Sequence, residues 1–150
     1  MLFLLFQLGE NRYALDAREV AAVLPLVAIV QIPQAPPAIA GIFNYRGESV
    51  PAIDLSQVLL GRPALRRLHT RIVLVHYRAE DGTTHPLGLV AERTTETLQR
   101  NPTEFVSSGV SLEHLGPVAT DERGLAQWIE VNQLLPAPVR DLLFRQPPQH

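Results

Sequence analysis

Residues 41–55, GIFNYRGESVPAIDL, contain two strand signals on either side of a tight turn. Residues 38–46 and 49–53 predict a β-hairpin around Arg46-Gly47-Glu48. Gly47 has no Cβ and can adopt the positive φ that such a turn requires, so we expect it to be a structural residue. The hairpin favours a β-rich fold.

A short helix is predicted directly after this hairpin. Asp54 has the short carboxylate that accepts hydrogen bonds from the first N–H groups of a helix, so it is expected to cap the segment. Gly61 and Pro63 then end the helix. Capping accounts for Asp54 fully, and general-base chemistry is not needed to explain it.

The sequence upstream predicts a hairpin, a helix and a strand. Residues 2–8 are apolar and precede the polar turn 9–12, which predicts a hairpin. Asp16 and Glu19 resemble a capping box, so a two-turn helix is expected between Asp16 and Pro25. On that helix one face would carry three apolar side chains, Val20, Val23 and Leu24. Residues 26–32, LVAIVQI, predict a buried strand.

The sequence downstream predicts two more hairpins and a terminal helix. An apolar strand over 71–78 is followed by the turn Asp81-Gly82 and a return strand over 85–92. Residues 116–120 and 125–131 flank a second polar turn. Pro138 can open a terminal helix over 138–144, and residues 145–150 are expected to fray.

A short internal similarity suggests a duplication. Residues 53–59, IDLSQVL, resemble residues 129–135, IEVNQLL, and in both segments a strand end runs into a short helix. Three identities in seven positions can arise by chance, so a duplication and a coincidence are about equally supported. A duplication would make each half a small barrel.

Composition limits the classes of function. The chain has 150 residues, enough for one domain over 1–150, and 46% of them are hydrophobic. The net charge is −2 and the 13 basic residues are scattered, which argues against nucleic acid as a partner. There are no cysteines, so thiolate metal sites and disulfides are excluded. The apolar start lacks a basic leader, so neither a signal peptide nor membrane insertion is expected.

An ordered set of motifs resembles the CheW family. It begins with Phe6-x-Leu8-Gly9 and Tyr13-x-Leu15-Asp16, continues through Ile32-Pro33 and the stretch Gly41 to Leu55, and extends to Arg71-Ile72-Val73-Leu74-Val75 and Gly88-Leu89-Val90. The resemblance covers most of residues 3 to 135. Any one of these motifs is a weak signal, whereas their order is a strong one.

The resemblance implies a mainly β fold of two intertwined five-stranded SH3-like barrels with a shared core and short helices. The first barrel would span about 15–67, and the second about 71–131 plus the N-terminal strand. It also implies an adaptor without cofactor, metal or catalysis. Such an adaptor couples the cytoplasmic tip of a methyl-accepting chemoreceptor to the regulatory domain of a CheA-type histidine kinase, in the cytoplasm at membrane-associated receptor arrays. An adaptor of the same fold in a non-motility pathway, such as surface sensing, second-messenger or pilus control, is the alternative.

The resemblance also implies positions that line or support a receptor-binding groove, namely Val20, Gly41, Ile42, Asn44 and Arg46. Each has a structural interpretation as well. Arg46 could pair with a nearby carboxylate, and Asn44 could satisfy the backbone of the turn. The apolar positions could belong to the core. The sequence departs from the family pattern at Ala22, at Tyr45 and at Ala91-Glu92-Arg93-Thr94, which puts the identity of the partner in doubt.

An enzymatic function would need converging polar groups, and the candidates are few. His69, His76, His85 and His114 show no spacing typical of a zinc motif or a catalytic triad. The chain also lacks the glycine-rich phosphate loops and the Gly-x-Ser-x-Gly elbow. The sequence therefore favours a binding protein over a hydrolase or a small-molecule-binding barrel.

Overall fold

The computed structural model describes residues 1–94, 96–107, 109 and 116–143. The fold is mainly β, and its ten strands form two five-stranded sheets, as predicted for two SH3-like subdomains. The strands are β1 Leu2–Leu8, β2 Asn11–Asp16, β3 Val20–Pro25, β4 Ile39–Tyr45, β5 Glu48–Asp54, β6 Arg71–Arg78, β7 Thr84–Ala91, β8 Glu96–Gln99, β9 Val118–Asp121 and β10 Gly124–Ile129. The helices are α1 Leu55–Leu60, α2 Val131–Leu134 and α3 Ala137–Leu143, with 3₁₀ turns at Ala17–Glu19 and Pro102–Glu104.

The two sheets have the same topology. The outer sheet has the order β8-β1-β2-β10-β9, and the central sheet has the order β3-β6-β7-β5-β4. Each contains three antiparallel strands joined to a hairpin by one parallel pairing, β2 with β10 and β7 with β5. Ile129 and Ile53 hold equivalent places, opposite Leu15 and Leu89 respectively. The topology therefore favours the duplication that the sequence suggested.

The two halves exchange their hairpins. The central sheet combines β6 and β7 with β3, β4 and β5, and the outer sheet combines β1 and β2 with β8, β9 and β10. Each sheet therefore contains strands from both sides of residue 70. Each hairpin lies beside three strands of the other half.

Three apolar clusters explain why several strands are apolar at consecutive positions. One cluster lies between the sheets and takes alternate residues from both, such as Phe6 and Leu8 from β1 and Val73 and Val75 from β6. The intervening residues face a smaller cluster on the other side of their own sheet: Phe3 and Leu5 in the outer sheet, and Ile72 and Leu74 in the central sheet. In strands that are buried on both faces, apolar residues do not alternate with polar ones.

Two predictions for the segment after β2 are wrong. Asp16 does accept from the N–H of Arg18 at 2.9 Å, but the helix it caps is one 3₁₀ turn, and Val20–Pro25 is a strand paired with β6. Pairing with a buried apolar strand outweighs the helical spacing, as tertiary context often does. Residues 26–32 form no strand beyond a single bridge, and Val30 is 71% exposed.

The other predicted elements occur close to their expected positions. The hairpins after residues 2, 39, 71 and 118 are all present, and α1 begins after Asp54 and ends at Gly61. The sequence analysis predicts no element between residues 93 and 107, where the described residues contain β8 and a 3₁₀ turn. The terminal helix spans Ala137–Leu143, and the end predicted for it at Phe144, like the tail 145–150, lies outside the described residues.

Candidate functional site

Four of the five groove candidates lie on β4 and in the turn that follows it. Tyr45 pairs with Glu48, so Arg46 and Gly47 form a two-residue turn. Their φ values are 51° and 84°, and positive φ at both positions is what a type I′ hairpin turn requires. Asn44 stabilises the turn, because its Oδ1 accepts from the Gly47 N–H at 3.0 Å. The structural interpretation of Asn44 is therefore supported by a specific contact.

The outward face of β4 is flanked by an exposed apolar segment. Phe43 and Tyr45 pack on the small core of the central sheet, which leaves Ile42 and Asn44 on the other face. Ile42 exchanges two backbone hydrogen bonds with Val30, at 2.8 and 2.9 Å. We define the edge patch as the exposed apolar residues of this segment and its partner strand, Val27, Val30, Ile32 and Ile42.

Gly41 allows this contact between backbones. Its φ is 144°, and a Cβ atom there would lie 2.2 Å from the Val30 carbonyl oxygen and 2.8 Å from Ile29 Cγ2. Both distances are far inside van der Waals contact, so any side chain would push residues 29 and 30 away from β4. Gly41 thus shapes the edge patch without contributing contact area.

Arg46 is exposed at the end of the same hairpin. Its guanidinium lies 5.2 Å from the centroid of the Tyr45 ring, which fits a cation–π contact. Within the described part of the chain no carboxylate lies within ion-pair distance of Arg46, so the structure does not supply the pairing that a purely structural role would use. The guanidinium hydrogen-bond donors remain available to a partner.

Val20 is placed apart from the other four candidates. It is the first residue of β3, at the opposite edge of the central sheet from β4, and it packs against the cluster between the sheets. The chain that follows β3 returns to β4 at Val30, so the two edges are linked through residues 26–32. Val20 is partly buried, and its packing is with the cluster between the sheets rather than with the edge patch.

Asp54 and Glu92 organise the loop between α1 and β6. Asp54 caps α1 through the N–H groups of Ser56 and Gln57, at 3.0 and 3.3 Å, and its other oxygen accepts from the Ala64 N–H at 2.9 Å. The capping predicted for Asp54 is present, and the bond to the loop is additional. Glu92 was noted in the sequence only as a departure from the family pattern.

Glu92 is 6% exposed and accepts three hydrogen bonds. The donors are Ser56 Oγ and Arg62 Nη1, both at 2.9 Å, and the Leu65 N–H at 3.2 Å. Burial acts to raise the pKa of this carboxyl, but the donors outweigh burial and the pKa is lowered. A charged Glu92 therefore ties the loop to both α1 and β7.

The arrangement of ionisable groups in the described residues does not form a metal-binding cluster of three or more. Glu19 lies close to Asp16 and Glu130, and burial, followed by these two neighbouring carboxylates, raises the pKa of Glu19. His85 Nε2 lies 2.7 Å from Thr83 Oγ1 in an exposed turn, and His114 lies outside the described residues.

None of the described helices has the length and apolar character needed to cross a bilayer.

Comparison with known proteins gives a sequence relative and a structural neighbour. The chain is 42% identical over 50 residues to the chemotaxis protein CheW of Treponema pallidum (strain Nichols), a match that covers 33% of this chain and 29% of that protein. The matched part is thus less than a third of that relative's length. The crystal structure of the scaffolding protein TtCheW from Thermoanaerobacter tengcongensis superposes with a TM-score of 0.80 at 23% identity, over 91% of this chain and 88% of that one.

A match to a family profile covers nearly the whole described fold. The sequence profile of the CheW-like domain matches residues 2–139, which run from β1 into α3. The matched range contains both sheets, both parallel pairings and the β4 hairpin that bears the groove candidates. On this match, and with the fold in agreement, the chain belongs to the CheW-like domain family.

Proposed function

We propose that this protein is a non-catalytic adaptor that couples a methyl-accepting chemoreceptor to a CheA-type histidine kinase in chemosensory signal transduction. The observation that carries the proposal is the family match over residues 2–139. The names of the relatives agree with it, since one is a chemotaxis protein and the other a scaffolding protein. The adaptor would act in the cytoplasm and be recruited to membrane-associated receptor arrays.

The receptor-binding surface in this proposal is the edge patch together with Arg46. Val30 and Ile42 expose aliphatic side chains on paired backbones, and such anchors suit the apolar stripe of a helix. Arg46 has no carboxylate partner among the described residues, so it can donate to an acidic or carbonyl group on the receptor tip. Gly41 and Asn44 would support the surface by fixing the backbone of β4 and its turn, whereas Val20 lies at the opposite edge of the central sheet.

The mechanism needs no chemistry on the adaptor. Simultaneous binding to the kinase regulatory domain and to the receptor tip lets the receptor state shift the kinase between active and inactive arrangements. Linkage within an array raises the effective concentration of each partner, so modest individual affinities suffice.

The test is calorimetric titration of the full chain with the regulatory domain of its genomic partner kinase and with a receptor-tip fragment. Arg46→Glu and Ile42→Ser are compared with Leu125→Ser, which changes an exposed apolar residue on β10 of the outer sheet. The first two variants should weaken receptor binding by about tenfold or more, and leave kinase binding within about twofold. Leu125→Ser should leave receptor binding unchanged.

The proposal fails if the folded protein binds neither partner, or if Leu125→Ser weakens receptor binding as much as Ile42→Ser. Binding to a kinase and receptor of a pathway that does not control motility would instead identify the alternative adaptor role. Binding to both partners, with loss of receptor binding only in the two edge-patch variants, would support the proposed surface.

A further inference from the structure

The fold also has a cleft that shares no residue with the edge patch. The cleft has a volume of about 860 Å³ and is bounded by β1 and its turn, by the loop over 61–70, and by Glu92, Arg93 and Glu96. Its volume is typical of sites for small organic ligands. The groove candidates line no part of it.

The lining of this cleft is unusually basic for this chain. Every basic residue other than histidine in the sequence is arginine, and five arginines line the cleft together with only two glutamates, although the whole chain has a net charge of −2. Low-dielectric walls of one charge sign concentrate ligands of the opposite sign. The five are Arg12, Arg62, Arg67, Arg93 and Arg123.

Three of these arginines already have carboxylate partners. Arg12 pairs with Asp121 and Arg62 with Glu92, at 2.6 and 2.9 Å, and Arg123 pairs with Glu96. Arg67 and Arg93 have no carboxylate within ion-pair distance in the described ranges. Two arginines without a carboxylate partner therefore line a cleft whose glutamates are already bound to other arginines.

The loop that carries Arg67 is held in place by its own hydrogen bonds. Glu92 accepts from the Leu65 N–H, and Asp54 accepts from the Ala64 N–H. Thr70 is 1% exposed, and its hydroxyl oxygen accepts from the Arg67 N–H while donating to the Leu65 carbonyl. A loop without regular secondary structure is thereby ordered before any ligand arrives, which reduces the entropic cost of binding.

Arg93, in the segment that follows β7, has an uncommon backbone conformation. Its φ is 43°, in a region that residues with side chains rarely adopt. The Thr94 N–H donates to the His69 carbonyl at 3.1 Å, which joins the segment after β7 to the Arg67 loop. The two segments that carry Arg67 and Arg93 are thus joined by a backbone hydrogen bond.

We propose that this cleft binds a small organic anion bearing two or more phosphate or carboxylate groups, with Arg67 and Arg93 as its main ligands. Guanidinium groups bind both kinds of acidic group through paired hydrogen bonds. The apolar side chains of Leu65, Leu68 and Phe6 in the same cleft can contact the organic part of the ligand. The site is independent of the receptor surface, so failure of the adaptor test would leave its own test unaffected.

The probes are inorganic pyrophosphate and citrate, each titrated calorimetrically into the full chain at low salt. The double variant Arg67→Gln/Arg93→Gln is compared with Arg66→Gln, a neighbouring exposed arginine that does not line the cleft. At least one probe should bind saturably with one-to-one stoichiometry. The double variant should weaken that binding by about tenfold or more, and Arg66→Gln by less than about twofold.

Folding is checked by an unchanged thermal midpoint, and Arg67→Gln alone serves if Arg93→Gln perturbs the fold. Saturable binding of pyrophosphate alone would assign phosphate chemistry, and binding of citrate alone would assign carboxylate chemistry. The proposal is overturned if neither probe saturates, if Arg66→Gln weakens binding as much as the double variant, or if a hexaglutamate peptide binds while neither small anion does.

Discussion

Arg12 and Asp121 form a bidentate ion pair that crosses an entire strand. Arg12 is on β2 and Asp121 on β9, and β10 lies between these strands in the outer sheet. The two hydrogen bonds measure 2.7 and 2.6 Å, and both side chains are mostly buried. The pair therefore joins the N-terminal hairpin to the last hairpin, across the only parallel contact of that sheet in the described residues.

The ion pair makes the stability of the fold depend on pH in the acid range. The hydrogen bonds from Arg12, helped by the Arg123 N–H, lower the pKa of Asp121 from its usual 3.8 to about 2. The pKa of this carboxyl is lower in the folded state than in the unfolded state, so its charge stabilises the fold at pH values above the unfolded-state pKa. That contribution is lost as the pH falls toward 2. Asp121→Asn should cost about 1–2 kcal/mol near neutral pH, after allowance for solvent screening.

Urea denaturation from about pH 6 down to about pH 2 measures this difference. The free energies of unfolding of the natural protein and Asp121→Asn should converge as the pH approaches 2. The control is Glu122→Gln, which removes an exposed carboxylate from the neighbouring position. An Asp121→Asn deficit that stays constant over the whole range would show that the charge of Asp121 does not carry the effect.

The sequence contains the local signals of this fold, and the errors occur where distant contacts decide. The Gly47 turn and the Asp54 cap depend on residues within three positions, so both could be predicted. Residues 16–25 have helical spacing, yet Leu24 pairs with Ile72 across the central sheet. No local pattern reveals a partner nearly fifty positions away, and helical spacing in a short segment is weak information.

The candidate site, too, could be predicted only where it does not depend on contacts between distant parts of the sequence. The resemblance gave the positions on β4, but the edge patch also depends on Val30. A single bridge places Val30 beside Ile42, and its side chain is exposed. A largely apolar segment of seven residues predicts a buried strand, and only the fold shows that five of the seven are exposed. Likewise, the basic cleft arises from arginines scattered from position 12 to position 123.

Gly41→Ala should be strongly destabilising because of one contact. The new Cβ would meet the Val30 carbonyl oxygen at 2.2 Å, and the backbone of residues 29 and 30 cannot yield as a flexible side chain end could. We expect a loss of about 2–4 kcal/mol in the free energy of unfolding, together with weaker receptor binding, since Val30 would move away from Ile42.

The matched control is Gly82→Ala, because Gly82 also has a positive φ, of 85°, but no atom within 4 Å of an added Cβ. That variant should lose only the conformational cost, about 1 kcal/mol. Urea denaturation gives both values. Equal losses for the two variants would mean that backbone conformation alone, and not the contact with Val30, makes glycine necessary at position 41.

The duplicated helix starts differ in one chemical detail that can be tested. Asp54 caps α1 with its own side chain, whereas Glu130 at the equivalent position before α2 makes no side-chain capping bond. Glu19, from the other half of the chain, lies close to the start of α2 at Val131. Aspartate is a preferred capping residue and its shorter side chain fits the N-cap geometry, while glutamate is too long to reach the same N–H groups well.

Asp54→Ala should therefore cost about 1–2 kcal/mol or more, because the Ala64 N–H loses its acceptor as well. Glu130→Ala should change stability by less than about 0.5 kcal/mol. Glu130→Asp should raise the free energy of unfolding by about 0.5–1 kcal/mol, because the aspartate can cap α2 as Asp54 caps α1. Thermal and urea unfolding of the three variants distinguish the outcomes. If Glu130→Asp is neutral, the start of α2 does not need a side-chain cap from position 130, and the two halves have diverged in how they stabilise this helix start.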